Sequence, residues 1–137
     1  MADVQIRLTD NSEATLRAFE RGTRAALEAC GQQAASHGKQ NITAASRVNT
    51  GAMRNSINSA VSGKSAYVGT NNSYAKFHEM GTGVYIAGGR TSPWAYQGAD
   101  GEWHWTRGVS PIHFIKNAVA DHVAEYRQIF LQFLSKL

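Results

Sequence analysis

Apolar and polar positions alternate at the start of the chain, with Val4, Ile6 and Leu8 set between Gln5, Arg7 and Thr9. A period of two predicts a short strand with one buried face. Asp10 followed by Glu13 has the spacing of a capping box, so a helix is expected to begin there. Behind it Leu16, Phe19, Thr23, Leu27, Cys30, Ala34 and His37 or Gly38 return at steps of three and four. That is one apolar stripe on a helix running to about Thr43. Such a helix is on the order of 45 to 50 Å long at ~1.5 Å per residue, long for a domain this small.

Residues 44 to 56 are small and polar with little periodicity, which predicts a loop holding a short turn of helix near Gly51 to Asn55. Ile57, Ser59 and Val61, a turn containing Gly63, then Ala66, Tyr67 and Val68 predict a hairpin. Asn72 or Ser73 is expected to cap a short helix that docks through Tyr74, Phe77 and Met80, with Gly81 ending it in the left-handed conformation. Trp94 and Tyr96 then precede the turn Gly98 to Gly101, and Trp103 and Trp105 follow it. Alternation puts these four rings on one face of a second hairpin. Ser110 and Pro111 read as the N-cap and first-turn residue of a final helix. Its stripe of Ile112, Ile115, Val119, Val123, Tyr126, Phe130, Phe133 and Leu137 is the narrow one of a helix packed on a helix.

The pattern therefore predicts an α+β fold. A small antiparallel sheet is joined to a long N-terminal helix, a short central helix, a projecting aromatic hairpin insert at 90–108 and a long C-terminal helix. With 137 residues, 42% of them hydrophobic, residues 1–137 are expected to form a single domain rather than a disordered chain. No apolar run approaches the roughly 18 residues that span a bilayer, so no membrane partner is expected. A start of Met1, Ala2, Asp3 does not resemble a secretory signal, which points to synthesis and retention in a cytoplasm. The lone Cys30 excludes an intrachain disulfide framework and a multi-cysteine zinc site. Two long helices and a few short strands leave much surface for little core. Homo-oligomerisation is the expected remedy, with the stripe around Phe130, Phe133, Leu134 and Leu137 in the contact.

The net charge of +4 matters less than its distribution. Between Glu28 and Glu79 there is no acidic residue, while Lys39, Arg47, Arg54, Lys64 and Lys76 fall inside the interval. This basic 29–78 region is either a solvated face, the complement of an acidic neighbour, or a surface facing nucleic-acid phosphates. Trp94, Trp103 and Trp105 beside Arg90 and Arg107 would suit base stacking, but large rings on one face of a hairpin more often fill an interface or a core. A nucleic-acid-binding module using the basic region and the Trp hairpin is the alternative to an assembly role.

Catalytic and metal chemistry find little support. His78 and Glu79 are adjacent and point about 100° apart on a helix. No His-x-x-x-His pair is present, and a reaction centre at His78, Glu79 and His104 would need a convergence that spacing does not supply. Cys30 sits on an apolar stripe and reads as a small core side chain. Gly81, Gly83, Gly88 and Gly89 lack the Lys-Ser/Thr of a phosphate loop. No catalytic, cofactor-binding or metal-binding residues are assigned, and the chain is not expected to be an enzyme.

Two elements carry a family resemblance. Thr50-Gly51 through Ser56-Ile57 is followed, after the hairpin, by Val68-Gly69-Thr70 and by Tyr74-Ala75 running through Phe77 and Glu79 to Gly81-Thr82-Gly83. In order and spacing they resemble the head-tail joining, or tail-completion, proteins at the neck of long-tailed bacteriophages and prophages. The match runs from about residue 50 to 118 and includes Gly101 to Trp103 and Thr106 to Gly108. Met53 stands where leucine is usual, and His113 and Asn117 stand where proline is frequent. The resemblance implies a non-enzymatic virion protein that joins head and tail as an oligomeric ring, with six-fold closure, made in the bacterial host. Its partners would be copies of itself, the neighbouring neck, connector and tail-tube proteins, and passing DNA bound without sequence specificity. The implied partner contacts are Arg47, Arg54, Tyr74, Phe77, Glu79, Trp94, Trp103, Trp105, Phe130 and Phe133. Tyr74 and Phe77 would anchor the short helix, and Lys39, Arg47, Arg54, Lys64 and Lys76 are the candidates to face DNA.

Overall fold

The computed structural model describes residues 5–136. Helix α1 covers Ser12–Ala44, 33 residues, which is about 50 Å at ~1.5 Å per residue. Its start follows half of the expected capping box. The amide of Ser12 donates to Asp10 Oδ1 at 2.9 Å, whereas Glu13 lies 4.0 Å from Arg17 instead of reaching back. Residues 5–10 form no strand, and Ile6 and Leu8 are 91% and 92% exposed. The expected opening strand is corrected to that extent, and Val4 lies outside the described residues. Alternation defines a face, but a strand exists only where its backbone groups find a partner, and each hairpin here pairs only within itself.

Helix α1 buries Ala26, Gly31, Ala34, Ala35, Gly38 and Ile42, so its inner face is made of smaller residues than the expected stripe. Leu16 and Phe19 stay exposed. Small residues are favoured because the neighbouring elements come close: a Cβ on Gly31 would lie 3.0 Å from Cβ of Ser59. Ser59 belongs to β1 (Asn58–Ser62), which pairs antiparallel with β2 (Ser65–Gly69). The register sets Ser59 opposite Val68 and Val61 opposite Ala66. These four are half-buried, while Tyr67 on the outer face is exposed.

The expected turn of helix at Gly51 to Asn55 is α2, Ala52–Asn55. It delivers Met53 to a core of Ala35, Ile42, Met53, Ile57, Ala75 and Phe114, with Val68, Ile112 and Ile115 packed around it. Helix α3, Ala75–Met80, starts where the side chain of Asn72 accepts from the amide of Tyr74 at 3.1 Å. It docks through Ala75, 1% exposed, while Tyr74, Phe77 and Met80 remain exposed. The expected anchoring by Tyr74 and Phe77 is therefore wrong. One small side chain lets the short helix sit close to the core, and the rings are left for other contacts. Gly81 ends α3 at φ 85 and ψ 167, a positive φ that suits glycine but with a ψ outside the left-handed helical well.

A short 3₁₀ turn follows at Gly83–Tyr85. The amides of Thr82 and Val84 each donate at 2.9 Å to the carbonyls of Val109 and Arg107. Gly83 allows this approach: its φ is +65, and a Cβ there would lie 2.3 Å from the Arg107 carbonyl oxygen. The paired segments form the base of the aromatic hairpin, β3 (Trp94–Gln97) and β4 (Trp103–Thr106).

The C-terminal stripe is carried by two helices, not one. Pro111 stays outside, His113 takes φ 48 and ψ 48, and α4 covers Phe114–Ala120. Helix α5 covers Val123–Leu134. Between them the Tyr126 hydroxyl donates to the Ala118 carbonyl, the acceptor that a continuous helix gives to the His122 amide. A side chain inserted in the hydrogen-bond ladder is a recognised cause of a break. Leu137, the last position of the expected stripe, lies outside the described residues.

Candidate functional site

The loop after α1 is built around Arg47. Its Nη1 lies 2.9 Å from Nδ1 of His78 and 3.1 Å from the Ser110 carbonyl, and its Nη2 donates to the Ser110 hydroxyl at 2.7 Å. These bonds tie the loop to α3 and to the segment before α4. Arg47, Arg54 and Tyr74, expected as partner contacts, line one depression together with Val48 and His78. Arg54 Nη1 is 3.4 Å from Thr43 Oγ1. Burial first, and the Arg47 charge second, push the His78 pKa below its ordinary 6.5.

The adjacent residue has a different task. Glu79 accepts from the amides of Ile115 at 2.8 Å and Lys116 at 3.0 Å, so its carboxylate caps the amide-rich start of α4. His78 and Glu79 thus serve two separate structural contacts. His104 is bonded to the Asp100 carboxylate at 3.1 Å in the turn of the aromatic hairpin. Among the described residues these three groups make no common reaction centre. Burial raises the Cys30 thiol pKa, and the thiol points to the Tyr126 carbonyl at 3.4 Å, which is the environment of a core cysteine.

The expected single face of four rings is corrected by the register of the hairpin. Tyr96 pairs with His104, Ala95 with Trp105 and Gln97 with Trp103. The loop runs from Gly98 to Glu102, closed by the Gly98 amide donating to the Glu102 carbonyl at 2.8 Å. Glu102 joins the loop, so β4 is shifted by one position relative to a turn confined to Gly98 to Gly101. A one-residue shift turns every side chain over. Trp94 and Tyr96 consequently share a face with His104, whose ring is 5.6 Å from that of Tyr96. Trp94 also packs beside Gly83 and under the Arg90 guanidinium, 4.4 Å from its ring centre. Trp103 and Trp105 occupy the other face, 70% and 76% exposed.

A second apolar surface is a groove between α1, β2 and the α4–α5 pair. It is lined by Leu27, Ala34, Tyr67, Val119, Val123 and Phe130, among others, and Val119 and Val123 are exposed in it. Phe133, further along α5, is half-buried with Lys136 Nζ 5.9 Å from its ring centre. Phe77 is exposed with Lys76 Nζ 5.3 Å from its ring centre. Of the remaining basic residues, Lys64 is exposed at the β1–β2 turn and Lys39 is half-buried on α1.

One cluster was missed in the sequence. His37 of α1 stacks on His122 with ring centroids 3.5 Å apart and planes 5° from parallel. His37 Nε2 is 2.9 Å and His122 Nδ1 3.5 Å from the same oxygen of Glu125. The hydrogen bond from His37 is the foremost cause holding the Glu125 carboxyl below its ordinary pKa. Burial pushes the neighbouring Tyr126 phenol up to about 12. The separation of His122 and Glu125 by three positions is visible in the sequence, but nothing local ties it to His37.

The sequence profile of the HK97-gp10-like family, described as "Bacteriophage HK97-gp10, putative tail-component", matches residues 7–81. This is more than half of the chain and spans α1 through α3. Comparisons with curated proteins and with solved structures give no match. Among the described residues no helix is long and apolar enough to cross a membrane.

Proposed function

The chain belongs to the HK97-gp10-like family of phage tail components, and on that premise we propose that it is a structural, non-enzymatic protein of the virion neck. As a single head-tail joining domain spanning 1–137, it closes into a ring between the portal side of the capsid and the tail tube. The observation that carries this reading is surface. The chain exposes 10013 Å², whereas a compact monomer of its 14.9 kDa exposes about 7000 Å² by the scaling of area with mass. The excess is rich in large apolar groups: Trp103, Trp105, Tyr67, Val123, Leu131 and Met80 are all exposed.

A ring needs head-to-tail contacts between two different surfaces of each copy. The Trp103–Trp105 face and the groove lined by Tyr67, Val123 and Phe130 supply two such surfaces. Tyr74, Phe77 and the depression at Arg54 serve neighbouring neck or tail proteins. Six-fold closure is the stoichiometry of this reading, and Lys39, Lys64 and Lys76 are its candidates to face passing DNA.

Light scattering and negative-stain microscopy of the purified chain, alone and mixed with tails, test the proposal. Rings, alone or on tail ends, support it. A monodisperse monomer at micromolar concentration that also fails to join tails overturns it. A gel shift that weakens steeply with salt, without ring formation, would favour the nucleic-acid module instead.

A further inference from the structure

We propose that His37, His122 and Glu125 form a binding site for a first-row divalent transition metal of the zinc type, clamping α1 to the start of α5. Their ligand atoms all lie within 4.8 Å of one another. Zinc bonds of about 2.0–2.2 Å in tetrahedral array set donors roughly 3.3–3.5 Å apart. Glu125 Oε2 stands 3.5 Å from His122 Nδ1, and 2.9 Å from His37 Nε2 in a hydrogen bond that the ion would replace and open by a few tenths of an ångström. Two imidazoles and a carboxylate are a borderline-soft donor set, suited to zinc, nickel or cobalt rather than to magnesium or calcium.

The site is reachable and adjustable. The side chains of His37, His122 and Glu125 are 13%, 31% and 38% exposed. The two rings stand in a parallel stack, and ligation requires them to turn out of it so that both lone pairs meet one ion. Gln33, one turn earlier on α1, has its amide 3.4 Å from His37 Nε2, and its carbonyl oxygen or a water fills the fourth position. His122 is available because the helix breaks at this residue, which makes it the N-cap of α5 rather than an interior position. The ion would add a bonded link between α1 and the N-terminus of α5, two elements already packed along each other.

The test uses the full chain without a histidine tag, stripped with EDTA and titrated with zinc chloride, with magnesium as the control. One zinc per chain is expected, together with a raised thermal midpoint, since an ion that binds the folded state stabilises it. His37→Ala and His122→Ala should each weaken zinc binding by at least ~100-fold, more than the loss of an outer-shell partner costs. Failure of the wild-type chain to take up zinc, or unchanged affinity in both variants, overturns the site. If the variants do not fold, cobalt(II) added to the wild-type chain decides. Tetrahedral ligand-field bands in the visible support the proposal, and the spectrum of the aqua ion sinks it.

Discussion

Arg47 Nη1 and His78 Nδ1 lie 2.9 Å apart, although the residues are 31 positions apart in the chain. Arginine has only donors, so this bond requires the lone pair of a neutral imidazole whose proton sits on Nε2. Protonation would replace the bond with two facing cations.

Stability should therefore depend on acid in a defined sense. The folded His78 pKa lies below its ordinary 6.5, so on acidification the unfolded chain takes up the proton first. The contribution is whole above that value and is lost as the pH falls below it. Thermal melts at about pH 7.5 and about pH 5 should show a larger drop for the wild type than for His78→Asn, whose amide oxygen accepts from Arg47 without titrating. Equal drops would show that the contact contributes nothing to the pH dependence.

Glu79 caps α4 by accepting hydrogen bonds from two backbone amides on one carboxylate. Glu79→Ala should cost about 1–2 kcal/mol in urea unfolding, the upper part of the range for lost helix caps. Glu79→Gln should cost roughly half of that, since its amide oxygen still accepts but carries no charge toward the helix terminus.

Phe114 is 0% exposed at the centre of the core. Truncation to alanine should cost about 3–5 kcal/mol, against roughly 0.5–1.5 for Ile42→Val in the same cluster. Chemical denaturation with an unchanged slope would confirm that the loss is one of packing.

Trp103 and Trp105 give the opposite expectation. Being 70% and 76% exposed, they should tolerate joint replacement by alanine with a change in unfolding free energy within about 0.5 kcal/mol. Ring formation and the yield of joined particles should fall sharply. Intact assembly in this variant would remove the hairpin from the proposed interface.

Much was legible because it is local. The spacing of Leu16 to Gly38 gave one long helix, and the turn at Gly63 gave the first hairpin. Thr50 to Gly83 gave the phage resemblance that the family match over residues 7–81 supports. Less local features were misread. Val4, Ile6 and Leu8 have the pattern of a strand, but the described part has no partner. Trp94 and Trp105 have the alternation of one face, but Glu102 joins the loop and moves the register by one.

From periodicity and turn residues alone came the α+β class, the order of the elements and the amphipathic stripe of the C-terminal segment. Tertiary structure decided that this stripe breaks at His122, because a phenol from Tyr126 takes the carbonyl of Ala118. It also decided that Arg47 and Glu79 hold the chain's own segments together, and that His37 meets Glu125. Side-chain periodicity encodes which face is turned inward, but the partner that face or polar group finds depends on chain segments brought together only by folding.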